Sequence, residues 1–207
     1  MRILSISLFC FFTMLLTSCA RVYEAPTAEY TTAAHSVIAV VPPYVTIQGR
    51  PKDNPDQLRA AEEADTYAFQ HEIYSWMLRR KAQGRFPGVD LMAPEVINAK
   101  LTQAGYDIYN RNLTPREVAD LLGVDAVVTA RFNTDKPMSE GVALALGLVL
   151  DVWNPTHRTS VNLSIHDPND GLVWNYDWAN SGSFTSPEVL VSQMMRNASR
   201  RMPYGAR

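Results

Sequence analysis

Residues whose type and spacing could do chemistry are few in this chain. His71-Glu72-Ile73-Tyr74-Ser75 opens like the zinc motif in which two histidines one helical turn apart hold the metal. Position 75 is serine, so the second ligand is missing and no zinc site is expected. His35, His157 and His166 have no paired spacing, which suits satisfied or surface histidines better than ligands. Glu62, Glu63 and Asp65 crowd one stretch; in the first turns of a helix they complement its dipole, a simpler reading than a general acid–base pair. No serine sits in a Gly-x-Ser-x-Gly elbow, and neither a phosphate-cradling glycine loop nor a dinucleotide fingerprint is present. Asp167-Pro168-Asn169-Asp170-Gly171 offers too few ligands for a calcium loop and reads as a turn. The chain is therefore expected to be non-catalytic, with no cofactor and no metal.

One residue does carry a chemical expectation. Cys10 and Cys19 are the only cysteines, which leaves none for a disulfide framework, a redox pair or a thiolate metal site within the folded body. Arg2 and the free amine precede an apolar run from Ile3 to Leu16, the pattern of a secretory signal. That run is shorter than the ~20 residues of a membrane-spanning helix. Leu16-Thr17-Ser18-Cys19 then looks like the lipobox of bacterial lipoproteins, in which a peptidase cuts before a cysteine diacylated on sulfur. Cys19 is thus the expected lipidation site, and residues 1–18 the expected signal peptide. Two or three acyl chains, each buried methylene contributing about 0.8 kcal/mol, would anchor the protein almost permanently. Ala20 rather than aspartate follows the cysteine, which by resemblance to enteric-type lipoproteins implies the outer membrane, facing the periplasm.

The rest of the chain must position whatever work is done. Its 207 residues are 46% hydrophobic and 19% charged, enough for one packed domain, and a net charge of −2 gives no basic excess to hold nucleic acid. Residues 20–35 show no sustained periodicity and read as a tether; about 16 flexible residues would span roughly 20–24 Å. Ser36 to Val41 is a β-branched run stopped by Pro42-Pro43, the pattern of a buried strand. Leu58 to Lys81 carries Phe69, Ile73, Trp76 and Arg80 at helical spacing, with Asn54 or Asp56 as cap and Arg79, Arg80 and Lys81 at the end where the dipole favours cations. Val89 to Met92 reads as a short strand. A helix from Pro94 stops at Gly105, and a second, opened by the capping box Thr114-Pro115-Arg116-Glu117, stops at Gly123. Ala126 to Phe132 is the next strand.

Thr159 to His166 alternates Val161, Leu163 and Ile165 with polar residues, and Leu172, Trp174, Tyr176 and Trp178 fall at period two in the following run. With the turn between them these form an expected hairpin. Its aromatic face is either core or a docking surface; the small and polar opposite side, with Asn175 and Asp177, favours core. A last helix from Pro187 to Arg201 is expected to turn Val189, Leu190, Met194 and Ala198 inward. Alternating strands and helices imply a mixed sheet with helices packed on it, a single α/β domain over residues 36–207.

This order resembles the bacterial lipoproteins built on a fold like the amino-terminal domain of TolB, a group that includes the curli-secretion lipoprotein CsgG, the activator LpoB and small uncharacterised members. The resemblance is carried by Ser36-Val37-Ile38-Ala39-Val40-Val41-Pro42-Pro43, by the helix-to-strand joint from Val118 through Leu122-Gly123-Val124-Asp125-Ala126 to Val128, by Asp170-Gly171-Leu172-Val173-Trp174 and by Met202-Pro203-Tyr204. It implies an envelope-anchored module that binds another protein or itself, without cofactor, and it transfers no partner-contact residue. Val142, Leu144, Leu146, Leu148 and Leu150 alternate with small residues at strand period. A pore strand should have a polar lumen side, so an interface is the better reading. Leu144, Leu146, Leu148, Trp174 and Trp178 are the candidate interface residues. A subunit of an oligomeric outer-membrane secretion channel is the alternative function, and a periplasmic hydrolase a third.

Overall fold

The computed structural model describes residues 20–49, 53–110, 112–134, 158–181 and 186–204. Strand β5 (Ala126–Thr134) lies at its centre, and the burial pattern of that strand sets the architecture. Ala126, Val128, Ala130 and Phe132 point to one face and are buried; on the other face Val127 is buried, whereas Arg131 and Asn133 are exposed. One face of the sheet is therefore apolar along the whole strand, and the other only at its start.

Among the described residues the sheet has seven strands: β1 (Arg21–Glu24), β2 (Val37–Val40), β3 (Tyr44–Ile47), β4 (Asp90–Leu91), β5, β6 (Arg158–Asp167) and β7 (Gly171–Ser181). Their order is β1-β7-β6-β5-β2-β4, with β3 also on β5. The β1, β7, β6 and β5 neighbours are antiparallel; β2 and β3 run parallel to β5, and β4 parallel to β2. This is a mixed α/β sheet with helices on it. Pro42-Pro43 does not end the strand region as its sequence implies. The chain steps past the two prolines, which lack N–H donors, and resumes along the same partner: Ile38–Val40 pair with Ala126–Val128, and Tyr44–Ile47 with Arg131–Thr134.

Among the described residues five helices pack on this sheet: α1 (Ala28–Ala33), α2 (Pro55–Ala82), α3 (Pro94–Gln103), α4 (Pro115–Leu122) and α5 (Pro187–Ala198). Asn54 caps α2, its side-chain oxygen accepting from the Asp56 N–H at 2.9 Å, with Pro55 at the first helical position. At the other end the Arg80 guanidinium lies over the Trp76 ring, 4.4 Å from its centroid, and Lys81 Nζ bonds the Val89 carbonyl and the Asp90 carboxylate. The Thr114–Glu117 capping box forms as its sequence predicts, and Gly123, at φ 72°, closes α4 in the left-handed region.

Helices α2 and α5 cover the apolar face. Phe69 of α2 stacks on Phe132 of β5, ring centroids 4.0 Å apart, and Trp174 stacks on Tyr176 in the same layer. The inward stripe of α5 is Leu190, Val191, Met194, Met195 and Ala198. Val189, expected inward, is exposed because it lies at the edge of that stripe, one residue before its first buried position. Helices α3 and α4 cover only the start of the other face, where Ile97, Leu101, Val118, Ala119 and Leu122 pack on Ala39, Val41 and Val127.

Two sequence expectations are corrected here. Residues 20–35 are not a tether. Arg21–Glu24 pair with Trp174–Asp177 of β7, the Ala25 N–H donates to the Val173 carbonyl at 2.9 Å, and α1 follows. The folded body thus begins near Ala20, which packs against the core, and not at Ser36. An exposed four-residue edge strand buries no face of its own, so it leaves no periodicity in the sequence to read. The hairpin face is also interrupted. A bulge places Ile165 opposite Trp174 but His166 opposite Leu172, leaving Val173 as the extra residue. Val173 is therefore buried and Leu172 is exposed, off the aromatic face.

Trp174 and Trp178 are core residues of this fold, 0% and 5% exposed. Trp174→Ala is expected to cost about 3–5 kcal/mol in urea unfolding, whereas Leu172→Ser should stay within about 0.5 kcal/mol of wild type. Equal effects at the two positions would contradict the bulge.

Candidate functional site

Among the polar clusters of the described residues, two bear on function, one buried and one facing solvent. The first is buried. His35 Nδ1 lies 2.7 Å from Tyr204 Oη, and His35 Nε2 lies 3.0 Å from Asp167 Oδ2. Asp167 Oδ1 accepts from the N–H groups of Asn169 and Asp170 at 2.6 and 2.7 Å, an Asx turn closing the β6–β7 hairpin. Burial pushes the Tyr204 hydroxyl above its usual range, with the nearby Asp167 and Asp125 charges adding to the effect, so Tyr204 remains a donor. The tautomer with the proton on Nε2 then satisfies every group: Nε2–H donates to Asp167 and Nδ1 accepts from Tyr204.

A histidine between a carboxylate and a hydroxyl has the makings of an acid–base relay. All three side chains are buried and engaged with one another. The cluster is a clasp that ties the lead-in to β2, the hairpin turn and the carboxyl-terminal segment together. His35 is thus a satisfied histidine, although in an ordered segment rather than a tether. Asp125 does similar work one strand away, its Oδ2 accepting from the Ser36 and Val37 N–H groups at 2.7 and 2.9 Å.

The remaining near misses do not converge. His71 is exposed on α2, and among the described residues no group of three or more metal-ligating side chains could hold an ion. Glu62, Glu63 and Asp65 splay around α2: Glu62 Oε1 accepts from the Ile47 N–H at 2.9 Å, Glu63 is exposed, and Asp65 is buried. His166 lies on the sheet, where burial lowers its pKa. Cys19, Leu144, Leu146, Leu148 and His157 lie outside the described residues, as does the whole expected strand from Val142 to Leu150.

The second group lies on the sheet face that α3 and α4 leave open. Strand register places side chains in rows across it. One row runs Tyr44, Arg131, Asn162, Asp177, Arg21 over β3, β5, β6, β7 and β1; beside it runs Thr129, Ser164, Asn175, Tyr23. Asn162 Nδ2 donates to Asp177 Oδ1 and to Asn175 Oδ1, both at 2.6 Å, and Asn175 Nδ2 donates to Asp177 Oδ2 at 3.1 Å. Ser164 Oγ is 2.8 Å from Asn175 Oδ1. These bonds fix the amides and the carboxylate in one orientation before anything binds, so a partner need not pay for ordering them. The Arg131 guanidinium lies over the Tyr44 ring, 5.5 Å from its centroid. A basin of about 980 Å³ opens over these rows, walled on the helix side by Tyr106, Ile108, Leu113 and Val118. An acidic centre flanked by arginines, with an apolar wall and His166 among the lining residues, can recognise polar groups of another molecule.

Sequence reading reached Asn162, Ser164, Asn175 and Asp177 as the polar side of the hairpin but missed Arg131, Tyr44 and Arg21. The signal for Arg131 was present: from Val128 to Phe132 apolar and polar residues alternate. That for Arg21 was not, since β1 is legible only in its pairing.

No protein-family model matches the chain, and no curated protein matches it in sequence. Among solved structures, it is similar to the lipoprotein GNA1162 from Neisseria meningitidis, at 14% identity and a TM-score of 0.45, covering 80% of this chain and 96% of that one. The PelC dodecamer from Paraburkholderia phytofirmans is similar at 12% identity and a TM-score of 0.34, covering 92% and 99%. The LpoB C-terminal domain from Salmonella enterica is similar at 12% identity and a TM-score of 0.37, covering 74% and 95%. At these identities and scores they transfer no residue and no role to this chain.

The titratable groups give opposite pH dependences. Burial works to raise the Asp167 carboxyl, but the N–H groups of Asp170 and Asn169 and the His35 ring outweigh it and hold the pKa below the usual value. The Val37 and Ser36 N–H groups lower Asp125. Both contributions to stability are present above pH ~4 and are lost as pH falls through the folded values. Asp65 is pushed by burial to about 6. Its folded form keeps a proton that the unfolded chain has given up, so stability declines as pH rises from ~4 to ~6. Asp65→Asn should raise stability by up to about 2–3 kcal/mol at pH 7 and by close to nothing at pH 4, as read from urea midpoints at the two pH values.

Proposed function

We propose that this chain is a lipoprotein of the bacterial envelope, anchored through Cys19 in the outer membrane and facing the periplasm, and that it acts as a non-catalytic interaction module. Its partner is an envelope protein that seats on the open sheet face. The observation that carries this reading is the uneven covering of the sheet. Two helices bury one face completely, whereas the other ends in ordered rows of arginine, amide and carboxylate beside an apolar wall. A solvated face without a role has no need of side chains locked to one another across two strands. The alternation Arg131, Asp177, Arg21 fits a partner that offers carboxylates to the arginines and an N–H or cation to the aspartate.

Two outcomes test this. Cys19→Ser should leave the body folded, since its core begins beyond that residue, while the protein stays unprocessed and is lost from the membrane fraction; a mature, membrane-bound species in fractionated cells would contradict the anchor. A photo-crosslinking side chain at Asn133, on the open face, should trap a discrete protein neighbour in intact cells, identified by mass spectrometry. The same probe at Leu78, exposed on α2, should not. Arg131→Glu should lower the Asn133 crosslink at least tenfold while unfolding stays within about 0.5 kcal/mol of wild type. An unchanged crosslink would remove the open face as the binding site.

A further inference from the structure

Lipidation at Cys19 and the β1 pairing together fix how the body meets the bilayer. A tether of residues 20–35 would let it stand well clear of the membrane. In the structure Ala20 already packs against the core and Arg21 is already paired with Asp177. Two Cα steps separate Cys19 from Arg21, at most about 7 Å, which is comparable with the ~5–8 Å depth of one headgroup layer. With acyl chains on Cys19, β1 has no slack to leave that layer.

Among the described residues β1 is also the outer strand of the sheet, paired on one side, with β7. Val22 and Tyr23 point to opposite sides of it and are 38% and 49% exposed. An apolar residue and a tyrosine are side chains that partition favourably at a membrane interface, the tyrosine with its ring in and its hydroxyl wet. The outward N–H and C=O groups of β1, which an exposed sheet edge would offer to another strand, face a polar layer that can hydrogen-bond them.

We propose that the protein rests edge-on on the phospholipid headgroups through β1, with Val22 and Tyr23 straddling the contact and the sheet standing upright from the bilayer. This rests on the Cys19 anchor proposed above. The opposite end of the sheet is then far from the lipid: β2, under α3, is four strand spacings from β1, about 19 Å.

Single-cysteine labelling separates the two claims. Once Cys10 has left with the signal and Cys19 is acylated, an introduced cysteine is the only free thiol. Purified protein carrying Tyr23→Cys, Val22→Cys or Val96→Cys, the last exposed on α3, would be labelled with a fluorophore and reconstituted in phosphatidylethanolamine–phosphatidylglycerol vesicles with nitroxide-headgroup lipid. Mass measurement of the amino-terminal peptide reads the anchor: an unacylated Cys19 overturns it and this proposal with it. With acylation confirmed, the labels at 22 and 23 should be quenched at least threefold more than that at 96. Inserting a 12-residue Gly-Ser linker between Cys19 and Ala20 should bring the three together. Equal quenching without the linker, or stronger quenching at 96, would overturn the edge-on contact and leave the anchor standing.

Discussion

Everything distinctive about this fold depends on a change of character within one strand. β5 pairs with β6 on one side and with β2 and then β3 on the other, so its side chains decide what both faces of the sheet can pack against. Val127 admits helices α3 and α4. Thr129, Arg131 and Asn133 do not, because covering an arginine or an amide without partners costs more than the burial returns. The helices therefore stop where the odd positions turn polar, and the remaining face is left to solvent or to another molecule. On the even side no such change occurs, and α2 and α5 extend over the whole strand.

The first and last described segments are held by the same economy of means. β1, the His35 lead-in and the segment around Tyr204 are distant in sequence, and none has an extensive apolar surface of its own. They are fixed by backbone pairing to β7 and by a buried hydrogen-bond cluster around His35. Such a cluster stabilises only when complete, since removal of one member leaves the others buried and unpaired. It also joins the hairpin turn to the His35 lead-in and to the segment around Tyr204, which makes both part of the domain rather than appendages to it.

Most of the scaffold was legible in the sequence because its signals are local. Proline at the first turn of α2, α3, α4 and α5, the Thr114–Glu117 box and the left-handed Gly123 each act within a few residues and need no partner to be read. The elements that escaped are those defined by a distant partner. β1 and α1 carry no buried period of their own, β3 is separated from β2 by prolines that only β5 bridges, and the bulge at Val173 is a property of two strands together. The candidate surface was half visible for the same reason: Asn162, Ser164, Asn175 and Asp177 lie on one hairpin, whereas Tyr44, Arg131 and Arg21 join them only through register.

One small contact on α2 reaches beyond its local geometry. The Ile47 N–H turns away from β5 and is taken by the Glu62 carboxylate. A carboxylate placed there occupies the donor with which an incoming strand would begin to pair, and its charge repels a second carboxylate or carbonyl approaching along the same line. β3 thereby offers one outward donor fewer to templated growth, the route by which two molecules brought edge to edge stitch their sheets into an insoluble ribbon.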